Sequence, residues 1–235
     1  MRTVLLSLYT IYVYLILFPF TFVNVLIILF FNTIGCEKTS RFFITFWAKG
    51  CFILIGKKLS VKGKEHIIKD KNHLLLANHS SLFDIMAIMA IDPTIAWFGR
   101  AHLLKIPIFG TVLKSINYIP MKSTDLRNTK LMISQLIETT KDKSVAIFPE
   151  GTRTLNGEAN KFRKGFIYVL KASQLDVVPI SLYGLYTLKP KNRFYYDYSA
   201  EISAIVHPPI YNKDIATLND NEIINIMQTQ IIGST

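Results

Sequence analysis

The amino-acid sequence predicts an α/β domain, a mixed, largely parallel sheet flanked by helices, behind an N-terminal hydrophobic helical membrane anchor. Three observations carry this. From Thr3 to Cys36 the chain runs 34 residues without a charged side chain, far beyond the ~18 apolar residues at which membrane residence becomes the first reading. Past residue 58, short apolar runs alternate with helix-period patterns, the signature of parallel strands joined by crossover helices. The 235 residues, less such an anchor, leave enough chain for one domain with a full core.

The first 58 residues are assigned to the anchoring helical region and 59–235 to the main domain. Pro19 divides the apolar run into Thr3–Phe18 and Phe20–Ile34, each about 23 Å of helix. A single tilted span and a re-entrant helical pair are both open. A cleaved signal peptide fits less well, because the run is over twice the usual apolar stretch and no small-x-small site precedes the charges. Arg2 alone lies before the run, whereas Lys38, Arg41 and Lys49 follow it. If the run spans, that bias puts the main domain in the cytoplasm, at the inner (cytoplasmic) membrane. Ser40–Ile55 carries Phe42, Phe43, Phe46, Trp47, Phe52, Ile53 and Leu54 in a helix-period stripe broken by bases. It fits either an interfacial amphipathic helix or one packed on the domain. Gly56-Lys57-Lys58 marks the boundary.

Beyond it, strands are predicted over His73–Ala77, Ile95–Gly99, Asn117–Met121, Ser144–Phe148, Val177–Leu182 and Glu201–Val206. Helices are predicted over Asp84–Ala90, Phe109–Ile116, Asp125–Thr140, Arg163–Ser173 and Asp220–Ile231. Half the residues are hydrophobic and 27 Lys+Arg face 16 Asp+Glu, a net charge of +11. That composition excludes a disordered chain. Six bases and one acid fall in residues 1–60, an excess that suits an anionic membrane surface or phosphorylated small molecules. No nucleic-acid motif accompanies the charge, so no nucleic-acid partner is expected. Cys36 and Cys51 have no C-x-x-C or Cys/His ligand spacing, so neither a disulfide framework nor a zinc site is indicated.

Two segments carry chemistry. Asn78-His79-Ser80-Ser81-Leu82-Phe83-Asp84 lies where a strand ends and a helix begins, the place where α/β sheets put their sites. A histidine there suits general-base work near neutrality, and a carboxylate on its other nitrogen fixes the tautomer. The five-residue spacing lets Asp84 fold back onto His79. Ser81–Asp84 equally reads as a capping box at an ordinary helix start, and both readings can hold at once. Phe148-Pro149-Glu150-Gly151-Thr152-Arg153 follows the apolar strand 145–148. It is either a solvated surface turn or a loop whose Arg153 grips a phosphate while Gly151 lets backbone amides approach it.

Together these segments resemble the glycerolipid acyltransferases, particularly the bacterial 1-acyl-glycerol-3-phosphate acyltransferases. The match comprises the N-H-x-x-x-x-D block at Asn78–Asp84, the block from Arg100 through Lys105-Ile106-Pro107-Ile108-Phe109-Gly110 to Lys122, Phe-Pro-Glu-Gly-Thr-Arg at 148–153, and Val177-Val178-Pro179-Ile180. The four stand in family order over about residues 60–185. Lys122 stands where the family usually has Arg, after Pro120-Met121 in place of Ile-Asp, and His102 replaces a common Glu. These departures bear on headgroup binding more than on the reaction class.

The resemblance implies an acyltransferase catalytic domain at 59–235 with a glycerol-3-phosphate acyltransferase-like fold. It implies that His79 takes the proton from an acceptor hydroxyl and Asp84 orients it, without an acyl-enzyme. Glu150, Gly151, Thr152 and Arg153 would form part of the acceptor site, with Arg153 on the glycerol phosphate. Arg100 and Lys122 either add positive charge there or are solvated surface bases. The partners implied are a lysophospholipid acceptor, acyl-CoA or acyl-carrier protein as co-substrate, and the lipid bilayer; no metal or resident cofactor is implied. Another lysophospholipid or glycerol 3-phosphate is the alternative acceptor, and an idle membrane-binding scaffold the remote one. A serine hydrolase is disfavoured, because no G-x-S-x-G elbow is present.

Overall fold

The computed structural model describes residues 2–105, 109–115, 118–121 and 126–233. Lys122, Ile106-Pro107-Ile108 and the predicted element ends Ile116, Asn117 and Asp125 lie outside the described residues. The chain opens with helix α1 (Arg2–Thr33) and helix α2 (Glu37–Leu54). Strand β1 (Ser60–Lys62) follows, and then the alternation β2 (His73–Ala77), α3 (Phe83–Ile91), β3 (Ala96–Arg100), α4 (Phe109–Ser115), β4 (Ile119–Met121), α5 (Leu126–Asp142), β5 (Val145–Ile147), α6 (Gly165–Ser173) and β6 (Asp176–Tyr183). The short helix α7 (Leu185–Leu188), strand β7 (Ser203–Val206), the short helix α8 (Asn212–Ile215) and helix α9 (Asp220–Ile232) complete it.

The strands form one sheet in the order β1-β7-β6-β2-β5-β3-β4. Every neighbouring pair is parallel except β6 with β7, which are antiparallel. The mixed, largely parallel sheet is therefore present. β2 lies at its centre and is buried throughout, as expected when both sheet faces are covered. Successive side chains alternate between the two faces. Leu75 and Ala77 join a core with α1, α2 and α3, while Leu74 and Leu76 join a second core with α5, α6 and α9.

Helix α1 runs unbroken through Pro19, so the pair of short helices split at that residue is not formed. The support comes from the neighbour. Trp47 Nε1 donates to Thr21 Oγ1 at 3.1 Å, and the Phe20 ring sits against Gly50, where a Cβ would come within 2.4 Å of it. Over its 32 residues α1 is long and apolar enough to cross a membrane. Its inner face nevertheless docks on the domain: Val13 and Leu17 are buried, and Thr10 Oγ1 accepts from the Tyr196 amide at 3.0 Å. On α2, Ser40, Ile44, Ala48, Cys51 and Phe52 are buried, while Phe42, Phe46 and Ile53 face outward.

Gly184 makes the turn between β6 and α7, with φ at +73°. A Cβ there would lie 1.8 Å from the Glu201 carbonyl oxygen, a backbone atom that cannot swing aside. Left-handed strain costs ~1–3 kcal/mol for a non-glycine residue, and the collision adds to it. Gly184→Ala is expected to destabilise the protein by about 3 kcal/mol, lowering the thermal midpoint by ~6–12 °C at this chain length. An unchanged midpoint would show that the turn can relax.

Candidate active site

Parallel strands present their C-terminal ends at one rim. Sequence order breaks at β2, whose neighbours are β5 and β6, and such a switch point opens a crevice at that rim. Asn78 fixes how the chain leaves β2. Its Nδ2 donates to the Leu182 carbonyl at 2.9 Å, and its Oδ1 accepts from the Leu182 amide at 2.7 Å. The side chain thus carries the β2–β6 pairing just past the end of the strand.

The chain then folds back and brings Asp84, in the first turn of α3, onto His79. Asp84 Oδ2 lies 2.9 Å from His79 Nδ1 and also accepts from the Ser80 and Ser81 amides at 2.5 and 2.8 Å. Asp84 is fully buried. Only half of the capping box forms. The Asp84 carboxylate takes the Ser81 amide, but the Asp84 amide bonds the Ser81 carbonyl at 3.4 Å and the Ser81 hydroxyl turns to the Lys189 carbonyl, so the helix start has no side-chain cap. A carboxylate can only accept, so the imidazole proton sits on Nδ1 and the Nε2 lone pair is left over. Nε2 makes no hydrogen bond among the described residues. The Phe148 ring stacks on the imidazole at 3.9 Å between centroids and 8° between planes, with Trp97 behind it at 5.3 Å. That stack fixes the ring plane and keeps one face dry.

The second loop leaves β5 through a turn closed by the Gly151 amide donating to the Phe148 carbonyl at 3.0 Å. Pro149 and Gly151 occupy the second and fourth positions that such turns favour, and Gly151 takes φ +68°. Glu150 points inward and is 1 % exposed. Its Oε1 accepts from the His79 amide at 2.6 Å, and its Oε2 accepts from the Asn160 amide and Nδ2 at 2.7 and 3.0 Å. Burial pushes the Glu150 carboxyl above the usual range, and these three donors pull it back. Both oxygens serve the protein, tying the His79 turn to the 150–160 loop. The amide of Glu150→Gln would set a donor against one of those donors. We expect it to cost about 1–3 kcal/mol, read as a lower urea midpoint; a wild-type midpoint would mean the loop is held elsewhere.

Thr152 contributes its carbonyl to Asn160 Nδ2 at 3.3 Å, and Thr154 donates its amide to the His79 carbonyl at 3.0 Å. Arg153 is half-buried and forms no ion pair among the described residues. His79, Asp84 and Glu150 are therefore joined directly, with Gly151, Thr152 and Arg153 on the adjoining loop. Arg100 is exposed at the C-terminal end of β3, separated from β2 by β5. Lys122 lies outside the described residues. Sequence reasoning missed the Phe148 stack, the Asn160 bonds and the segment after β6 that touches both loops. Asn160 had no signal, since it sits in a polar loop without periodicity.

At the switch point of a covered, mostly parallel sheet, a buried carboxylate thus holds an imidazole whose second nitrogen is left over, an arrangement chemically able to take up a proton. The chain belongs to the acyltransferase family, whose model, described as Acyltransferase, matches residues 58–183. Over its whole length it is similar to a solved structure, the 1-acyl-sn-glycerophosphate (LPA) acyltransferase PlsC from Thermotoga maritima. That match has a TM-score of 0.78 and 26 % identity, covering 99 % of this chain and 95 % of the other. Among curated relatives, it is 26 % identical over 181 residues to the 1-acyl-sn-glycerol-3-phosphate acyltransferase of Borreliella burgdorferi, covering 76 % of this chain and 72 % of that protein. It is 26 % identical over 186 residues to the chloroplastic enzyme of the same name from Brassica napus, covering 78 % and 54 %. The chain spans about half the length of the plant relatives it matches first, 54 % and 49 %.

Proposed function

We propose that the protein transfers a fatty acyl group from an acyl thioester to the sn-2 hydroxyl of 1-acyl-glycerol-3-phosphate, giving phosphatidic acid. The carrying observation is His79 Nδ1 bonded at 2.9 Å to the buried Asp84 carboxylate, with Nε2 unoccupied at the sheet rim. The names of the relatives support the acceptor.

In this reading His79 Nε2 takes the proton as the acceptor hydroxyl attacks the thioester carbonyl carbon. Asp84 stabilises the imidazolium that forms. The tetrahedral intermediate then collapses, the carbon–sulfur bond breaks, and the departing thiolate recovers the proton from His79. No acyl-enzyme forms and no protein nucleophile is used. Glu150 keeps the base aligned with the 150–160 loop, and Arg153 meets the acceptor phosphate with a planar fork of donors. The donor is acyl-CoA or acyl-carrier protein, and no cofactor is required. Helix α1 associates with the membrane that supplies the acceptor and takes up the product, with the catalytic domain on the cytoplasmic side.

The test is acyl transfer from radiolabelled acyl-CoA, and separately from an acyl-carrier-protein thioester, to lysophosphatidic acid in detergent micelles. Glycerol 3-phosphate serves as a competing acceptor. Labelled phosphatidic acid is expected. Folded protein inactive with both donors, or acylating glycerol 3-phosphate alone, would overturn the reading.

A further inference from the structure

The segment from α7 to Tyr195 spans both site loops. On one side the Ser81 hydroxyl donates to the Lys189 carbonyl at 2.7 Å, and Ser81 pairs with Pro190 as an isolated antiparallel bridge. On the other, Tyr186 Oη and Asn192 Nδ2 donate to the Leu155 carbonyl at 2.9 and 3.3 Å, beside the loop that carries Arg153. Lys189 thus sits between the His79 turn and the Arg153 loop.

Its surroundings are crowded with like charge. Burial, followed by the charges of Arg193 and Arg153, holds the Lys189 ammonium below the usual lysine range. None of the three pairs with a carboxylate among the described residues. Arg193 is committed to the chain itself, donating to the carbonyls of Thr187, Leu188 and Tyr195. Lys189 Nζ donates to the carbonyls of Pro190 and Arg193, which holds the ammonium in place and leaves one of its three donors over. The Asp197 carboxylate acts on Arg193, but no carboxylate among the described residues acts on Lys189, so the partly buried Lys189 and Arg153 charges repel one another, and a bound anion relieves that repulsion.

We infer that Lys189, fixed by the Ser81 latch and flanked by Arg153 and Arg193, is a binding residue for a phosphate group at the active site, that of the acceptor in the reaction proposed above. The inference rests on that reading for the identity of the phosphate. A phosphate on the acyl donor's pantetheine arm presents the same chemistry, so the test separates the two. Lys189→Gln keeps a donor for the two carbonyls and removes the charge; Lys189→Arg keeps the charge.

Steady-state kinetics on the full chain in micelles, varying lysophosphatidic acid and acyl-CoA in turn, reads the outcome. For Lys189→Gln we expect the acceptor KM to rise at least tenfold, with the loss carried by KM rather than kcat. Lys189→Arg is expected to stay within threefold of wild type. A rise confined to the acyl-CoA KM would support the phosphate site and assign it to the donor. Unchanged KM values in Lys189→Gln, or equal losses in both variants, would overturn the inference and leave Lys189 as a loop fastener. Wild-type protein without acyl transfer to lysophosphatidic acid would instead refute the proposed function, so the two failures are distinguishable.

Discussion

Replacing His79 with alanine is expected to lower kcat by about 10²- to 10⁴-fold, the usual contribution of a positioned general base. The residual rate comes from holding the two substrates together. The fold should tolerate the change, because the anchoring bonds around His79 use its backbone. Its amide donates to Glu150 Oε1 and its carbonyl accepts from the Thr154 amide. What is lost is the ring, with its stack on Phe148 and its bond to Asp84. Circular dichroism of the variant should match wild type while acyl transfer collapses. Activity above a tenth of wild type would remove His79 from the base role.

Asp84→Asn should cost a comparable factor, up to about 10⁴-fold, for a different reason. Three donors converge on Oδ2, while Oδ1 is buried without a hydrogen-bond partner among the described residues. An asparagine therefore turns its oxygen to the crowded side and keeps the geometry, but it loses the charge that stabilises the imidazolium and buries its Nδ2 donor without an acceptor, at ~1–3 kcal/mol of stability. Asp84→Ala should fare worse, since the buried Ser80 and Ser81 amides would then lack their acceptor, at ~1–3 kcal/mol for each. Because Asp84 acts through His79, His79→Ala combined with Asp84→Asn should be no slower than His79→Ala alone. Losses that multiply in the double variant would mean that Asp84 acts on the reaction independently.

What could be read from the sequence follows from how local each feature is. β2, β5 and β6 are buried on both faces, so they appear as unbroken apolar runs such as Leu74-Leu75-Leu76. β1 could not be found that way. Ser60 and Lys62 are exposed, and the strand exists because it pairs with Ser203–Ile205 far along the chain. The four-residue helices α7 and α8 are too short to show a period. At the site, His79 and Asp84 lie five residues apart and announced themselves. The Ser81–Lys189 bond joins positions 108 residues apart, and no local pattern encodes it. The continuity of α1 through Pro19 was hidden similarly, because the Trp47–Thr21 bond and the Phe20–Gly50 contact that brace it belong to the neighbouring helix.

The Thr10–Tyr196 bond, 186 residues apart in sequence, also sets a timetable for synthesis. At about 5–20 residues per second, Thr10 leaves the ribosome roughly 10–40 s before the amide it accepts from. Val13 and Leu17 belong to the same core as Tyr196 and Ile202, so this apolar face of α1 waits for a segment made much later to cover it. A chain halted between the two would leave the docking face of α1 uncovered, because the amide that Thr10 accepts from would not yet exist.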